Sequence, residues 1–134
     1  MIIFLIMSSA PFTRKFTELG KNDAPIAGGK GASLGEMTQV GIPVPPGFVV
    51  LSNSFEQFIR GTDLIQEIDA ILDKVNHREV HTVEEASEKI KDLILSRKMP
   101  EDIAQDIERQ FKELGCEWVA VRSSATAEDG KEHA

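Results

Sequence analysis

The sequence is poor in the residues that would mark a secreted or aromatic-rich protein: it has one cysteine, one tryptophan and no tyrosine among 134 residues. A single cysteine, Cys116, excludes an internal disulfide, so nothing points to an oxidising compartment. We expect the Cys116 side chain to be buried as a small apolar group beside a strand. The scarcity of aromatic rings argues against a platform on which nucleobases stack.

Long hydrophobic runs are also missing. The longest lies at the start, residues 2–7, and falls far short of the ~20 apolar residues that cross a bilayer. It has no basic flank and is too short for the apolar core of a signal peptide. We therefore interpret residues 1–13 as an extra N-terminal segment, an added strand or an upstream start, and expect a cytoplasmic protein with no membrane partner.

Positive charge is in short supply, since the formal net charge is −7. The excess acidity lies in residues 63–117, which carry eight basic and fifteen acidic residues. Alternating charges of this kind are typical of the solvated faces of surface helices. An acidic chain without clustered lysine and arginine is a poor ligand for phosphate backbones, so we expect no nucleic-acid partner.

The positions of glycines and of short apolar runs indicate a mixed α/β (α+β) fold. A glycine-rich run at 28–31 opens a predicted helix that Gly41 ends, and residues 47–51 read as a short buried strand. Residues 118–121 read as a second buried strand that leads into Arg122. Apolar residues recur at helical spacing in the first helix: Leu34, Met37 and Val40.

Residues 62–115 are predicted to form a helical insertion between those strands. Thr82 and Glu85 have the spacing of a capping box, and Pro100 suits the first turn of a last helix, which Gly115 ends. Three apolar stripes, one on each predicted helix, are predicted to pack in the core. Their members include Leu64, Ile68, Ile90, Leu93, Ile103 and Ile107.

The glycine-rich run has the chemistry of an anion site. Glycines leave backbone N–H groups accessible at a helix start, and Lys30 adds a positive charge beside Gly28, Gly29 and Gly31. Neither standard phosphate motif fits, because Lys30 is followed by glycine where a P-loop needs Ser or Thr, and the dinucleotide fingerprint fails at Leu34. A tight turn that packs closely before a helix is an equal alternative.

Arg122 is the second candidate for phosphate. A guanidinium at the end of a buried strand needs a partner, which is either a phosphate or a nearby carboxylate, Glu128 or Asp129. Together, Lys30 and Arg122 could clamp one polyphosphate. His77 and His81 have helical metal-ligand spacing but no third ligand, so no metal site is predicted, and His133 is expected to be solvated.

Four motifs taken together resemble one family. They are FTELG at 16–20, GGKGASLGEM at 28–37, GIPVPPGF at 41–48 and VRSSATAED at 121–129. In this order they are similar to the N-terminal nucleotide-binding region of the phosphoenolpyruvate synthases (pyruvate, water dikinases). Pyruvate phosphate dikinases and rifampicin phosphotransferases share that architecture, and the Glu-Asp ending favours the synthases.

The resemblance implies the N-terminal subdomain of an ATP-grasp domain and an enzyme that makes phosphoenolpyruvate, AMP and phosphate from ATP, pyruvate and water. It implies that Lys30 and Arg122 contact the ATP phosphates, with Gly28, Gly29, Gly31, Ser123 and Ser124 around them. No catalytic residue is carried over.

By the same resemblance, the Mg²⁺ ligands, the phosphohistidine domain and the pyruvate domain of the full enzyme are absent. We therefore expect residues 1–134 to be a partial ATP-binding domain that is inactive alone. The alternatives are a non-catalytic or split-subunit module, completed by a separately encoded partner, or the ATP-binding part of a related phosphotransferase. Self-association through exposed apolar surface is also expected.

Overall fold

The computed structural model describes residues 11–126, which divide into two compact units. The first, here called the sheet unit, comprises residues 11–52 and 105–126, and the second, the helical unit, comprises Asn53–Ala104. The strands are β1 (Thr13–Lys15) and β2 (Phe48–Val50), and the α-helices are α1 (Ala24–Gln39), α2 (Ser52–Gly61), α3 (Leu64–Leu72), α4 (Val80–Ser96) and α5 (Glu101–Leu114). Short 3-10 turns at Phe16–Glu18 and Lys21–Asp23 precede α1. The predicted mixture of helix and strand is confirmed.

The sheet consists of two antiparallel strands, with Arg14 of β1 opposite Val49 of β2. The pairing continues past both ends, because Leu51 donates to the Phe12 carbonyl at 2.8 Å and Phe16 donates to the Gly47 carbonyl at 3.1 Å. The strand predicted at 47–51 is therefore present. It is only half-buried rather than fully buried, since this small sheet leaves part of β2 in solvent.

The core of the sheet unit centres on Leu19, which is fully buried with Ala27 and Leu51. Helix α1 reaches this core through its smallest residues, because a Cβ added at Gly35 would lie 2.6 Å from both the Cβ and the carbonyl oxygen of Leu19. The buried residues of α1 are Ala27, Gly28, Gly31, Ala32 and Gly35. The predicted apolar stripe was thus not the buried face, and Val40 is exposed.

Asp106 ties α5 to β1 in the sheet unit. Its Oδ2 accepts hydrogen bonds from the buried Thr13 hydroxyl at 2.9 Å and from the Phe12 N–H at 3.1 Å, and Oδ1 pairs with Arg109. Burial alone would raise the pKa of Asp106, but the hydrogen bonds from Arg109, Thr13 and Phe12 outweigh it and lower that pKa. The folded state therefore favours the ionised carboxylate.

This lowered pKa predicts acid destabilisation. The stabilisation by Asp106 is complete above its unfolded pKa of about 3.9 and is lost as the pH falls through the lower folded value. Asp106→Asn should therefore cost about 1–2 kcal/mol near neutral pH, and the difference from the parent should shrink towards pH ~2. Urea unfolding followed by circular dichroism at a series of pH values measures this. Asp92→Asn, at an exposed position on α4, is the control, and a difference that does not change with pH would contradict the assignment.

The helical unit contains most of α2, all of α3 and α4, and the first turn of α5. Helix α3 packs against α4, and Leu64 and Ala86 are buried. Arg97 pairs with Glu67 at 2.7 Å. The buried face is narrower than the predicted stripes, because Ile68, Ile90 and Leu93 are only half-buried. The helical character predicted for this stretch is confirmed.

Two helix starts differ from the prediction. Helix α4 begins at Val80, so Thr82 lies inside it, where its hydroxyl accepts a hydrogen bond from the Asn76 N–H at 3.0 Å instead of capping the helix. The predicted capping box is therefore wrong, because the turn before α4 captures the threonine. Pro100 stands just before α5, and its carbonyl accepts the first helical bond, from Ala104 at 3.0 Å.

The end of the described chain corrects further expectations. Residues 118–121 form no strand, and Trp118 and Val121 are 88% and 91% exposed. A strand needs a hydrogen-bonded neighbour, and within residues 11–126 this run has none. Cys116 is exposed rather than buried. For the same reason Arg122 does not end a buried strand.

The run at 2–7, Glu128, Asp129 and His133 lie outside the described residues. None of the helices in the described part of the chain combines the length and hydrophobicity needed to cross a bilayer. Gly41 and Gly115 adopt positive φ values of 84° and 63° just after α1 and α5. Both helix ends were predicted at these glycines and are confirmed.

Candidate functional site: the glycine turn and the arginine segment

The glycine-rich run forms a kink inside α1. Gly28 has φ 73° and ψ 164°, which are not helical values and which only glycine adopts without strain. The helix is thereby divided, and its second part starts at Gly29. The N–H groups in the first turn of a helix have no partner within it and must find one elsewhere. We call residues 28–31 the glycine turn.

Residues 122–125, here called the arginine segment, pack directly on the glycine turn. The Ser124 hydroxyl donates to the Ala27 carbonyl at 3.1 Å and accepts from the Gly31 N–H at 3.4 Å. The Ala125 carbonyl accepts from the Gly29 N–H at 3.4 Å. The structure thus brings together two motifs that lie more than ninety residues apart in the sequence.

Gly28 makes this packing possible. A Cβ at this position would lie 2.2 Å from the Ser124 Oγ and 3.1 Å from the Ala125 carbonyl oxygen. Gly31 faces the sheet instead, where a Cβ would meet a Cγ of Val49 at 3.0 Å. The glycine turn is therefore held between the arginine segment and β2, and a methyl group on either side would force its neighbours to shift.

Lys30 lies in the middle of this arrangement. Its neighbours Gly29 and Gly31 each donate their N–H to the arginine segment, and Arg122 is only two residues before Ser124. Lys30, Arg122 and Ser123 are exposed. The packing therefore brings the backbone of the segment that contains Arg122 against the turn that contains Lys30.

The backbone amides differ from the prediction of an open cradle. The N–H groups of Gly29 and Gly31 are directed at the arginine segment, although at 3.4 Å both bonds exceed the usual range of about 2.7–3.2 Å. The close packing that was the alternative interpretation of this turn is observed. Phosphate binding by the same residues stays a prediction.

Sequence reasoning missed the carbonyl groups of Ala27 and Ala125, which complete the contact. The sequence contained a signal for this contact, but the signal was ambiguous. Small residues such as Ser124 and Ala125 permit a close approach of two backbone segments, but they do not indicate which segment approaches them. Among residues 11–126, no group of three or more His, Cys, Asp or Glu side chains could hold a metal ion. We assign no metal ligand to these residues.

A comparison with known families identifies the domain. Residues 24–134 match the family described as the pyruvate phosphate dikinase, AMP/ATP-binding domain. The chain belongs to this family. The match contains both the glycine turn and the arginine segment of this AMP/ATP-binding domain.

Relatives of this AMP/ATP-binding domain are named as phosphoenolpyruvate synthases. The chain is 46% identical to a probable phosphoenolpyruvate synthase of Methanothermobacter thermautotrophicus, over 85% of this chain and 18% of the relative. It is 44% identical to a probable phosphoenolpyruvate synthase of Methanocaldococcus jannaschii, over 90% of this chain and 11% of that relative. It is 40% identical to the phosphoenolpyruvate synthase of Pyrococcus furiosus, over 88% of this chain and 19% of that relative. The chain therefore spans less than a fifth of the length of these relatives.

Proposed function

We propose that this chain binds ATP through its phosphates, at the place where the arginine segment packs on the glycine turn. The observation that supports it most is the pair of contacts from Ser124 and Ala125 to both sides of Lys30. Membership of an AMP/ATP-binding family supplies the class of ligand. The residues assigned to this site, whether they contact the nucleotide or hold those that do, are Gly28, Gly29, Lys30, Gly31, Arg122, Ser123 and Ser124.

The two cations have different tasks in this proposal. The guanidinium of Arg122 is a planar fork that can hold two oxygens of one phosphate, whereas the ammonium of Lys30 is a compact charge on a flexible stem. Placed on either side of a polyphosphate, they would neutralise negative charge that builds on a phosphoryl group during its transfer. Neither group needs to gain or lose a proton for this task.

We further propose that the chain is the N-terminal ATP-binding part of a phosphoenolpyruvate synthase, with an ATP-grasp fold that residues 62–115 interrupt as a helical insertion. The names of the relatives and the separate helical unit support this. The complete reaction would convert ATP, pyruvate and water into AMP, phosphoenolpyruvate and phosphate, with Mg²⁺. We assign that reaction to the cytoplasm, and to this chain acting with the remainder of such an enzyme.

Equilibrium titration with ATP tests the site. We expect weak binding that weakens further with added salt, because phosphate charge dominates it. Lys30→Ala and Arg122→Ala should each reduce the affinity about tenfold, the loss expected for one charge-assisted contact. Adenosine, which has no phosphate, should not respond to either substitution.

Matched controls remove the same charges elsewhere. Lys89→Ala and Arg78→Ala change exposed residues of the helical unit, so each removes one positive charge, as the site variants do, without touching the site. Both controls should bind ATP as the parent does. Equal losses in controls and site variants, or binding that is tight and indifferent to salt, would overturn the proposal.

A further inference from the structure

The Ser124 hydroxyl already has both of its hydrogen-bonding roles filled. It has one proton to donate, and that proton goes to the Ala27 carbonyl at 3.1 Å. Its oxygen accepts from the Gly31 N–H at 3.4 Å. A phosphate oxygen needs a donor, and this hydroxyl would have to leave Ala27 to serve as one.

Among the described residues, 11–126, the arginine segment has few other attachments. Residues 116–126 contain neither helix nor strand, and all of them are exposed. Apart from Ser124, the backbone bond from Gly29 to Ala125 links the segment to the glycine turn, at a length of 3.4 Å. At 3.1 Å, the hydrogen bond from Ser124 to Ala27 is the shortest of the three described bonds that join this segment to residues 27–31.

We propose that Ser124 is a positioning residue for Arg122, and that it fixes the guanidinium beside Lys30 instead of binding the nucleotide itself. This inference rests on the proposed function. Two residues of extended chain span at most about 7 Å, so anchoring Ser124 confines the backbone of Arg122 to the neighbourhood of the glycine turn. Preorganisation of this kind improves binding because the segment is already ordered before the ligand arrives.

The neighbouring serine provides a matched comparison. Ser123 is also exposed and has the same side chain, so Ser123→Ala removes an identical hydroxyl one residue closer to Arg122. The hydroxyl contacts with Ala27 and Gly31 belong to Ser124. Only Ser124→Ala should therefore release the segment.

The first measurement needs no ligand. Amide hydrogen exchange of the 134-residue chain, read by nuclear magnetic resonance, should show the Gly31 N–H exchanging about tenfold faster in Ser124→Ala than in the parent. Ser123→Ala should leave that rate unchanged. An unchanged Gly31 rate in Ser124→Ala would overturn the proposal, because the hydroxyl would then not be holding the turn.

The second measurement is a double-mutant cycle on ATP affinity. Ser124→Ala should weaken ATP binding about fivefold, the equivalent of one hydrogen bond, and should have no further effect when Arg122→Ala is already present. Equal losses in both backgrounds would show that Ser124 does not act through Arg122 and would overturn the proposal. If the parent does not bind ATP, the proposed function fails, and the exchange rate of Gly31 still reports separately on the anchoring of the segment.

Discussion

Replacing Gly28 with alanine is expected to detach the arginine segment and to reduce ATP affinity by about tenfold or more, as the removal of a charged contact does. The added Cβ would lie 2.2 Å from the Ser124 Oγ and 3.1 Å from the backbone carbonyl oxygen of Ala125. A serine side chain can rotate away from such a contact, but a backbone carbonyl cannot. The backbone at Ala125 must therefore shift by a few tenths of an ångström, and rotation of Ser124 breaks its bonds to Ala27 and Gly31, so Arg122 loses its anchor.

The same substitution also strains the backbone. Gly28 has a positive φ and an extended ψ, a combination that costs a non-glycine residue of the order of 1–3 kcal/mol. Titration with ATP and urea unfolding, applied to the same variant, separate the two effects. The loss of ATP affinity measures the displacement of the arginine segment. The loss of unfolding free energy measures the backbone strain at residue 28 together with any repacking.

Gly41→Ala is the control for this experiment. Gly41 also has a positive φ, but a Cβ there would meet nothing within 4 Å. It should therefore lose stability through the backbone alone and keep the affinity for ATP. If the two variants lose affinity equally, the effect comes from general destabilisation, and the contact between Gly28 and Ser124 does not support the site.

Leu19→Ala is expected to destabilise the protein by about 2–5 kcal/mol, the range for emptying a fully buried leucine site. Leu19 has no exposed surface and packs with Ala27 and Leu51 in the core of the sheet unit. The site cannot collapse easily, because Gly35 already lies against the backbone of Leu19. The loss should therefore fall towards the upper part of that range.

Urea unfolding followed by far-ultraviolet circular dichroism measures this loss. The matched control is Leu95→Ala, which makes the same chemical change at a side chain that is 73% exposed, and it should change stability by less than about 0.5 kcal/mol. A loss below about 1 kcal/mol in Leu19→Ala would show that Leu19 is not the centre of the core.

Local features of the sequence predicted the ends of helices well. Gly41 and Gly115 stop α1 and α5 because their positive φ values follow from residue type and need no distant partner. The beginning of α4 was misplaced, because Thr82 bonds to Asn76 in the preceding turn instead of capping a helix. Caps depend on which of several nearby backbone groups a hydroxyl reaches, and spacing alone does not decide that.

The burial of side chains was harder to predict than the positions of the helices. The run at 118–121 has the composition of an inner strand, but composition does not supply the neighbouring strand that would pair with it. In α1 the buried face is formed by small residues and not by the predicted apolar stripe, since Gly31 and Gly35 let the helix approach Val49 and Leu19 closely. A hydrophobicity pattern takes little account of such glycines, although they allow α1 to pack closely against the core of the sheet unit.

The candidate site was partly predictable. Lys30 and Arg122 were paired from their residue types and from the resemblance to a family. The structure packs the arginine segment on the glycine turn, and the pairing of the two cations stays a prediction. The contacts of Ser124 with Ala27 and Gly31 could not be predicted, because they depend on a kink at Gly28 that becomes visible only when both backbones are placed. Whether the two cations bind phosphate stays a prediction for the titrations above.

The position of Trp118 decides how this protein can be followed by optical spectroscopy. It is the only tryptophan in the sequence, which has no tyrosine, and this residue is 88% exposed in the folded state. Its emission will therefore change little when the core of the protein unfolds, so intrinsic fluorescence is a poor measure of stability here.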